Sequence, residues 1–168
     1  MNRWILSSVL LLASFSANSQ HFATGYTELQ IPSGIVRINS GRVGSFNAHE
    51  FYVYSFQLKP DGAEQQWNQV PLVVQDDPEL EFMITTGATA DFATRDATIR
   101  QEGDGVLLTI AQMRFEDTPY DENTWIELHR YRLRHLEDDN RWVFEQIGIE
   151  RAPPGTTVES YIRSESKS

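Results

Sequence analysis

The residues of this chain that could carry out chemistry are few in kind and widely spaced. Ser164-Glu165-Ser166-Lys167 has the Ser-x-x-Lys spacing in which a lysine activates a serine hydroxyl. It stands at the chain end without a Ser-Asp-Asn or Lys-Thr-Gly companion, and no Gly-x-Ser-x-Gly elbow occurs, so the spacing reads as chance. A catalytic zinc needs three protein ligands, but His21, His49, His129 and His135 form neither His-x-His nor His-Glu-x-x-His. His129 and His135 share a strand face, where six residues separate them by about 20 Å. His21 would be an amino-terminal copper ligand only if cleavage fell after Gln20. No metal and no cofactor is expected. Glu79 with Glu81, and Asp117 with Asp121 and Glu122, have the makings of a glycosidase pair. In a chain with 24 acidic residues such pairs arise by chance.

Aromatic side chains offer a second kind of site. Trp67, Trp125 and Trp142 with Tyr52, Tyr54 and Tyr131 would make a platform for a sugar or a flat heterocycle. The chain has no cysteine, so a secreted domain of this size must hold itself together by burial, and these rings are expected in the core.

The elements that must position these residues read as strands. Pro32-Ser33-Gly34, Pro60-Asp61-Gly62, Gly103-Asp104-Gly105, Asp138-Asp139-Asn140 and similar turn signals punctuate short β-branched and aromatic runs. Strands are expected at 34–38, 49–59, 68–74, 80–85, 91–100, 105–113, 125–136 and 141–150, with no helical stripe. The fold class is therefore all-β: an antiparallel β-sandwich, jelly-roll-like or a partly open barrel. In the 125–136/141–150 hairpin, a tip at Asp138-Asp139 places Arg134 opposite Val143, Arg132 opposite Glu145 and Arg130 opposite Ile147. Tyr131, Leu133 and His135 then share the other face with Trp142 and Phe144. Residues 51–58 are apolar at odd and even positions, which suits a strand packed on both sides.

Residues 1–19 read as a secretory signal peptide: Arg3, then the apolar run Ile5 to Phe15, then Ala17-Asn18-Ser19 as a small-x-small cleavage site. A single domain is expected over 20–163, with a frayed tail at 164–168. The apolar run is shorter than a membrane span, and no cysteine is present to take a lipid. The expected location is the periplasm or the surrounding medium, without a membrane anchor. The formal net charge is −10, and loss of Arg3 makes it one unit more negative. Such a chain is repelled by phosphate backbones, so nucleic acid is not an expected partner.

The stretch Phe46-Asn47-Ala48-His49-Glu50-Phe51-Tyr52-Val53-Tyr54-Ser55-Phe56-Gln57-Leu58 resembles the CarG family of carbapenem self-resistance proteins, with looser agreement at Val70-Pro71-Leu72 and Gly87-Ala88. The resemblance implies an exported protein that protects against a β-lactam without hydrolysing it, by binding or sequestration, and that acts as a homodimer. It carries no catalytic residues to this chain. A carbapenem carboxylate calls for a guanidinium. Arg130 and Arg132 are the candidates, with Asn47 and His49 as polar contacts, while an Arg132–Glu145 ion pair is the structural alternative for that arginine. The competing reading is a protein-interaction module, such as an inhibitor of a secreted enzyme, whose acidic surface engages a basic partner. A hydrolase using scattered carboxylates ranks third.

Overall fold

Alternation of buried and exposed side chains dominates the computed structural model, which describes residues 22, 24–44, 50–63, 66–74, 77 and 79–165. The strands are β1 Gly25–Ile31, β2 Gly34–Gly44, β3 Glu50–Pro60, β4 Asn68–Gln69, β5 Leu72–Val73, β6 Leu80–Glu81, β7 Ile84–Thr85, β8 Gly87–Ala88, β9 Ala93–Glu102, β10 Gly105–Arg114, β11 Trp125–Leu136 and β12 Arg141–Arg151. One helix, α1 Val158–Glu165, follows them. One sheet runs β1-β2-β3-β4, with β7 also on β3; the other runs β6-β5-β12-β11-β10-β9-β8. Every pairing is antiparallel except β5 with β12. The expected all-β sandwich is the observed one.

Between the sheets lies the main core. Val36, Ile38, Tyr54, Phe56 and Leu58 meet Val106, Leu108, Ile110, Tyr131, Leu133 and Phe144. Phe56 and Phe144 touch edge to face across it, with ring centroids 5.1 Å apart. In β3 only Tyr54, Phe56 and Leu58 are fully buried, so 51–58 is a one-faced strand. The strand covered on both faces is β10, which is buried without a break from Val106 to Ala111. Its second cover is α1, whose Val158, Tyr161 and Ile162 pack on Ala111, Ile126 and Leu128.

That helix corrects the expectation of an all-strand chain with a frayed end. Its buried residues follow an i, i+3, i+4 spacing. Thr157 caps it: Ser160 N–H donates to Thr157 Oγ1 at 3.1 Å, and Thr157 N–H to Ser160 Oγ at 2.9 Å. Ser164 and Glu165 belong to the last turn, while 166–168, including Lys167, lie outside the described residues.

Two expected strands are each broken by a crossing between sheets. Val70 N–H donates to Phe56 O in the first sheet at 2.9 Å, and the next carbonyl, Pro71, accepts from Phe144 N–H in the second at 2.8 Å. Pro71 has no N–H with which to continue the first ladder. The 68–74 segment is thus β4 and β5 in different sheets, and 80–85 returns as β6 and β7. Strand β1, absent from the expectation, is the exposed edge of the first sheet.

The β1–β2 turn is pressed onto the end of β3. Gly34 has φ +141°, and a Cβ there would stand 2.1 Å from the Lys59 carbonyl oxygen, so this closure requires glycine. Asp61 N–H donates to Ser33 O at 3.0 Å beside it.

Candidate functional site

Hairpin β11–β12 has the expected register at Arg134↔Val143, Arg132↔Glu145 and His135↔Trp142. A bulge at Ile147 shifts it beyond Tyr131, so Arg130 faces Gly148 and not Ile147. The three arginines do form a row, but each already holds a carboxylate. Arg130 pairs with Glu150, Arg132 with Glu102 at 2.8 Å and Arg134 with Glu145 at 3.1 Å. The expected Arg132–Glu145 pair is therefore replaced: Glu145 goes to Arg134, and Arg132 reaches across to the end of β9. Asn47 and His49 lie outside the described residues, in the connection between the paired residues Gly44 and Glu50.

Contrary to the expectation of rings in the core, Trp67, Trp125 and Trp142 are each only partly buried. Trp67 lies 3.7 Å beneath the Arg37 guanidinium on the outer face of the first sheet, and Trp125 lies 5.1 Å from that of Arg151. Trp142 packs against the core from its margin, with His135 tilted over it at a ring separation of 5.1 Å.

Around Trp142 opens a cleft of about 490 Å³ between the two sheets. Gln66, Asn68 and Gln69 line it from the β3–β4 side, and His135, Asp139, Asn140 and Arg141 from the β11–β12 hairpin. The hairpin turn forces Asn140 to φ +45°, a conformation asparagine tolerates. Its Oδ1 lies 3.2 Å from His135 Nε2, which fixes the imidazole beside the tryptophan. Arg141 is exposed and, among the described residues, has no carboxylate partner. With Asp139 also on its wall, the cleft sets a guanidinium without an ion pair beside a carboxylate, an aromatic face and four side-chain amides, chemistry suited to a small polar ligand that carries an anionic group and several hydrogen-bonding groups.

A second polar group sits on the inner face of the second sheet. Glu127 Oε2 accepts from Arg114 Nε at 2.7 Å and lies 3.4 Å from His129 Nε2, too poorly aimed for a hydrogen bond. His129 Nδ1 meets the Gln146 amide at 3.3 Å. Burial pushes the His129 imidazole below its ordinary value of 6.5, with Glu127 opposing. The Arg114 hydrogen bond holds Glu127 below the ordinary carboxylate value.

Both shifts give the same sign. The unfolded histidine takes up a proton before the folded one does, so stability falls as pH drops from above 6.5 through the lowered folded value. The Glu127 contribution is present above pH 4.5 and is lost as pH falls through its own lowered value. Urea unfolding at pH 7.5 and 5.5 is expected to give a lower free energy at 5.5, with a smaller drop in His129→Gln. An equal drop in that variant would show that His129 is not the source.

In the acidic 115–124 loop, Asp121 accepts the backbone N–H groups of Thr118 and Asp117, which hold its carboxylate below the usual range. It is a self-stapled turn. Glu81 of the other carboxylate pair lies 3.6 Å from Arg95. Among the described residues no three His, Cys, Asp or Glu side chains are grouped to hold a metal, and no helix is long and apolar enough to cross a membrane.

Fold and site together define a two-sheet antiparallel sandwich, capped on one outer face by a helix and opening at its turn end into a ligand-sized cleft. No protein-family model matches the sequence, and no curated protein matches it. Its fold is similar to that of CarG, whose crystal structure aligns with 86% of this chain and 89% of its own at a TM-score of 0.62 and 19% sequence identity. The alignment reaches well beyond residues 46–58, which carry the sequence resemblance.

Proposed function

We propose that this chain is an exported, non-enzymatic binding protein that protects against carbapenem β-lactams by holding the drug and not by hydrolysing it. One observation carries the reading: on a fold similar to that of CarG, the cleft at Trp142 presents Arg141, a guanidinium with no carboxylate partner among the described residues. A carbapenem brings a carboxylate for the guanidinium, a β-lactam carbonyl for the amides and a bicyclic face for the indole. Residues 1–19 would direct export and the mature chain would act as a homodimer. Of the arginines nominated from the sequence, Arg132 borders a neighbouring cleft with its charge already balanced by Glu102.

The test is thermal unfolding of the mature chain with and without a carbapenem, while the drug's β-lactam absorbance is followed. A ligand at one hundred times its Kd adds about 2.7 kcal/mol to the native state, which raises the Tm of a domain this size by about 5–10 °C. The absorbance is expected to stay constant. No shift at millimolar drug removes the binding reading, and falling absorbance with turnover replaces it with an enzyme.

A second reading is favoured by the turns around the cleft. Asp61, Asp104, Glu137, Asp138 and Asp139 are all exposed there, with no ion pair among the described residues. Such a rim suits a basic protein partner, in which case capture would weaken steeply with salt.

A further inference from the structure

Trp142 belongs to two clefts. On its other flank, between the β1–β2 and β9–β10 turns, is a second hollow of about 330 Å³. The same ring borders both because it enters between the sheets at their turn end. Pro60, closing β3, lies to one side of it and Ile31 to Ser33 to the other. The contact of Gly34 with Lys59 O fixes how far apart those two walls stand.

The two hollows differ in chemistry. The first is polar, lined by four side-chain amides, His135, the Asp139 carboxylate and the unpaired Arg141. In the second, Ile31, Pro32 and Leu133 supply apolar wall, and the one guanidinium, Arg132, is held by Glu102 at 2.8 Å. Each alone stands toward the small end of the range that engulfs a drug-sized ligand, while the pair falls well inside it.

We propose that the two clefts are halves of one site: the Arg141 cleft takes the carboxylate and polar nucleus of a ligand, and the second takes an apolar arm that passes across Trp142. It rests on the reading of the first cleft as a carbapenem site. The second cleft then sets specificity, because an arm that finds apolar wall gains affinity and an arm that finds none gains nothing. Each methylene it buries is expected to tighten binding about fourfold.

Two probes separate the halves: a carbapenem nucleus bearing hydrogen at the arm position, and the same nucleus with an alkylthio arm. Their Kd values are measured by titration calorimetry on wild type, Ser33→Trp and Arg141→Ala. Ser33 is half-buried on the second cleft, and its carbonyl contact with Asp61 N–H survives substitution. Wild type is expected to bind the armed probe at least tenfold tighter. Ser33→Trp is expected to bring it down to the bare probe, whose affinity does not change, while Arg141→Ala weakens both alike. If Ser33→Trp lowers Tm, Asp104→Trp fills the same cleft from an exposed position on the opposite wall. Equal affinities of the two probes on wild type, or no selective loss in either filled variant, overturn the two-part site while Arg141 dependence leaves the first cleft standing. Failure of wild type to bind either probe overturns both readings.

Discussion

Arg141→Ala is expected to remove most of the carbapenem-induced stabilisation and to leave the melting temperature of the free protein within about 1–2 °C of wild type. The two halves of this expectation have separate causes. Arg141 is exposed, buries no apolar contact in the core and leaves no carboxylate stranded when it goes, so its loss falls among the surface changes worth within about 0.5 kcal/mol. In the proposed complex it would be the cation that receives the ligand's carboxylate, and a charge-assisted hydrogen bond contributes about 1.5–3 kcal/mol, or ten- to more than a hundredfold in Kd. Arg141→Lys keeps the charge but not the planar two-point fork, so it is expected to recover only part of the affinity. Arg130→Ala and Arg132→Ala are the controls, since their guanidiniums are committed to Glu150 and Glu102. Thermal shift and calorimetry on the four variants check the ranking. If Arg141→Ala keeps the full shift while Arg132→Ala loses it, the carboxylate sits on the other flank of Trp142.

What the sequence disclosed about this fold is local. Turn chemistry and period-two alternation suffice for β11, whose observed bounds are the expected ones, and for the register of the half of its hairpin nearer the turn. They cannot reveal that Val70 and Pro71 bond to opposite sheets, because that depends on Phe56 and Phe144, which are far away in sequence. Helix α1 is different: Thr157 and the Val158, Tyr161, Ile162 spacing were readable, but the Pro-Pro-Gly approach and the polar Ser-Glu-Ser ending masked them. The candidate cleft follows the same division. A row of arginines on one strand is visible in a sequence, yet the carboxylates that occupy them come partly from other strands, as Glu102 does. Arg141 stands out only once those pairings are known, and Gln66, Asn68 and Gln69 join it from a segment more than sixty residues earlier.

Phe144→Ala is expected to be the most damaging single change in the core, lowering stability by about 3–5 kcal/mol. The ring is fully buried and stands edge to face against Phe56, so its removal loses apolar transfer energy and a directional aromatic contact together. The cavity forms where the sheets are tied: Phe144 N–H takes the Pro71 carbonyl, and Phe144 pairs with Leu72 of β5 on one side and with Leu133 of β11 on the other. With those backbone bonds intact the walls cannot collapse far, so the cost should lie toward the upper part of that range. A domain with about 5–15 kcal/mol of total stability would lose a large share of it, and Tm is expected to fall by about 10 °C or more. Phe144→Leu keeps most of the volume and is expected to cost roughly half as much. Trp142 hangs on the same strand two residues away, on the same inner face, so a loosened β12 should also weaken ligand binding in Phe144→Ala. Calorimetric unfolding of the three proteins, free and with carbapenem, reads both effects. If Phe144→Ala costs less than about 1 kcal/mol, the ring does not tie the sheets, and the coupling between core and cleft goes with it.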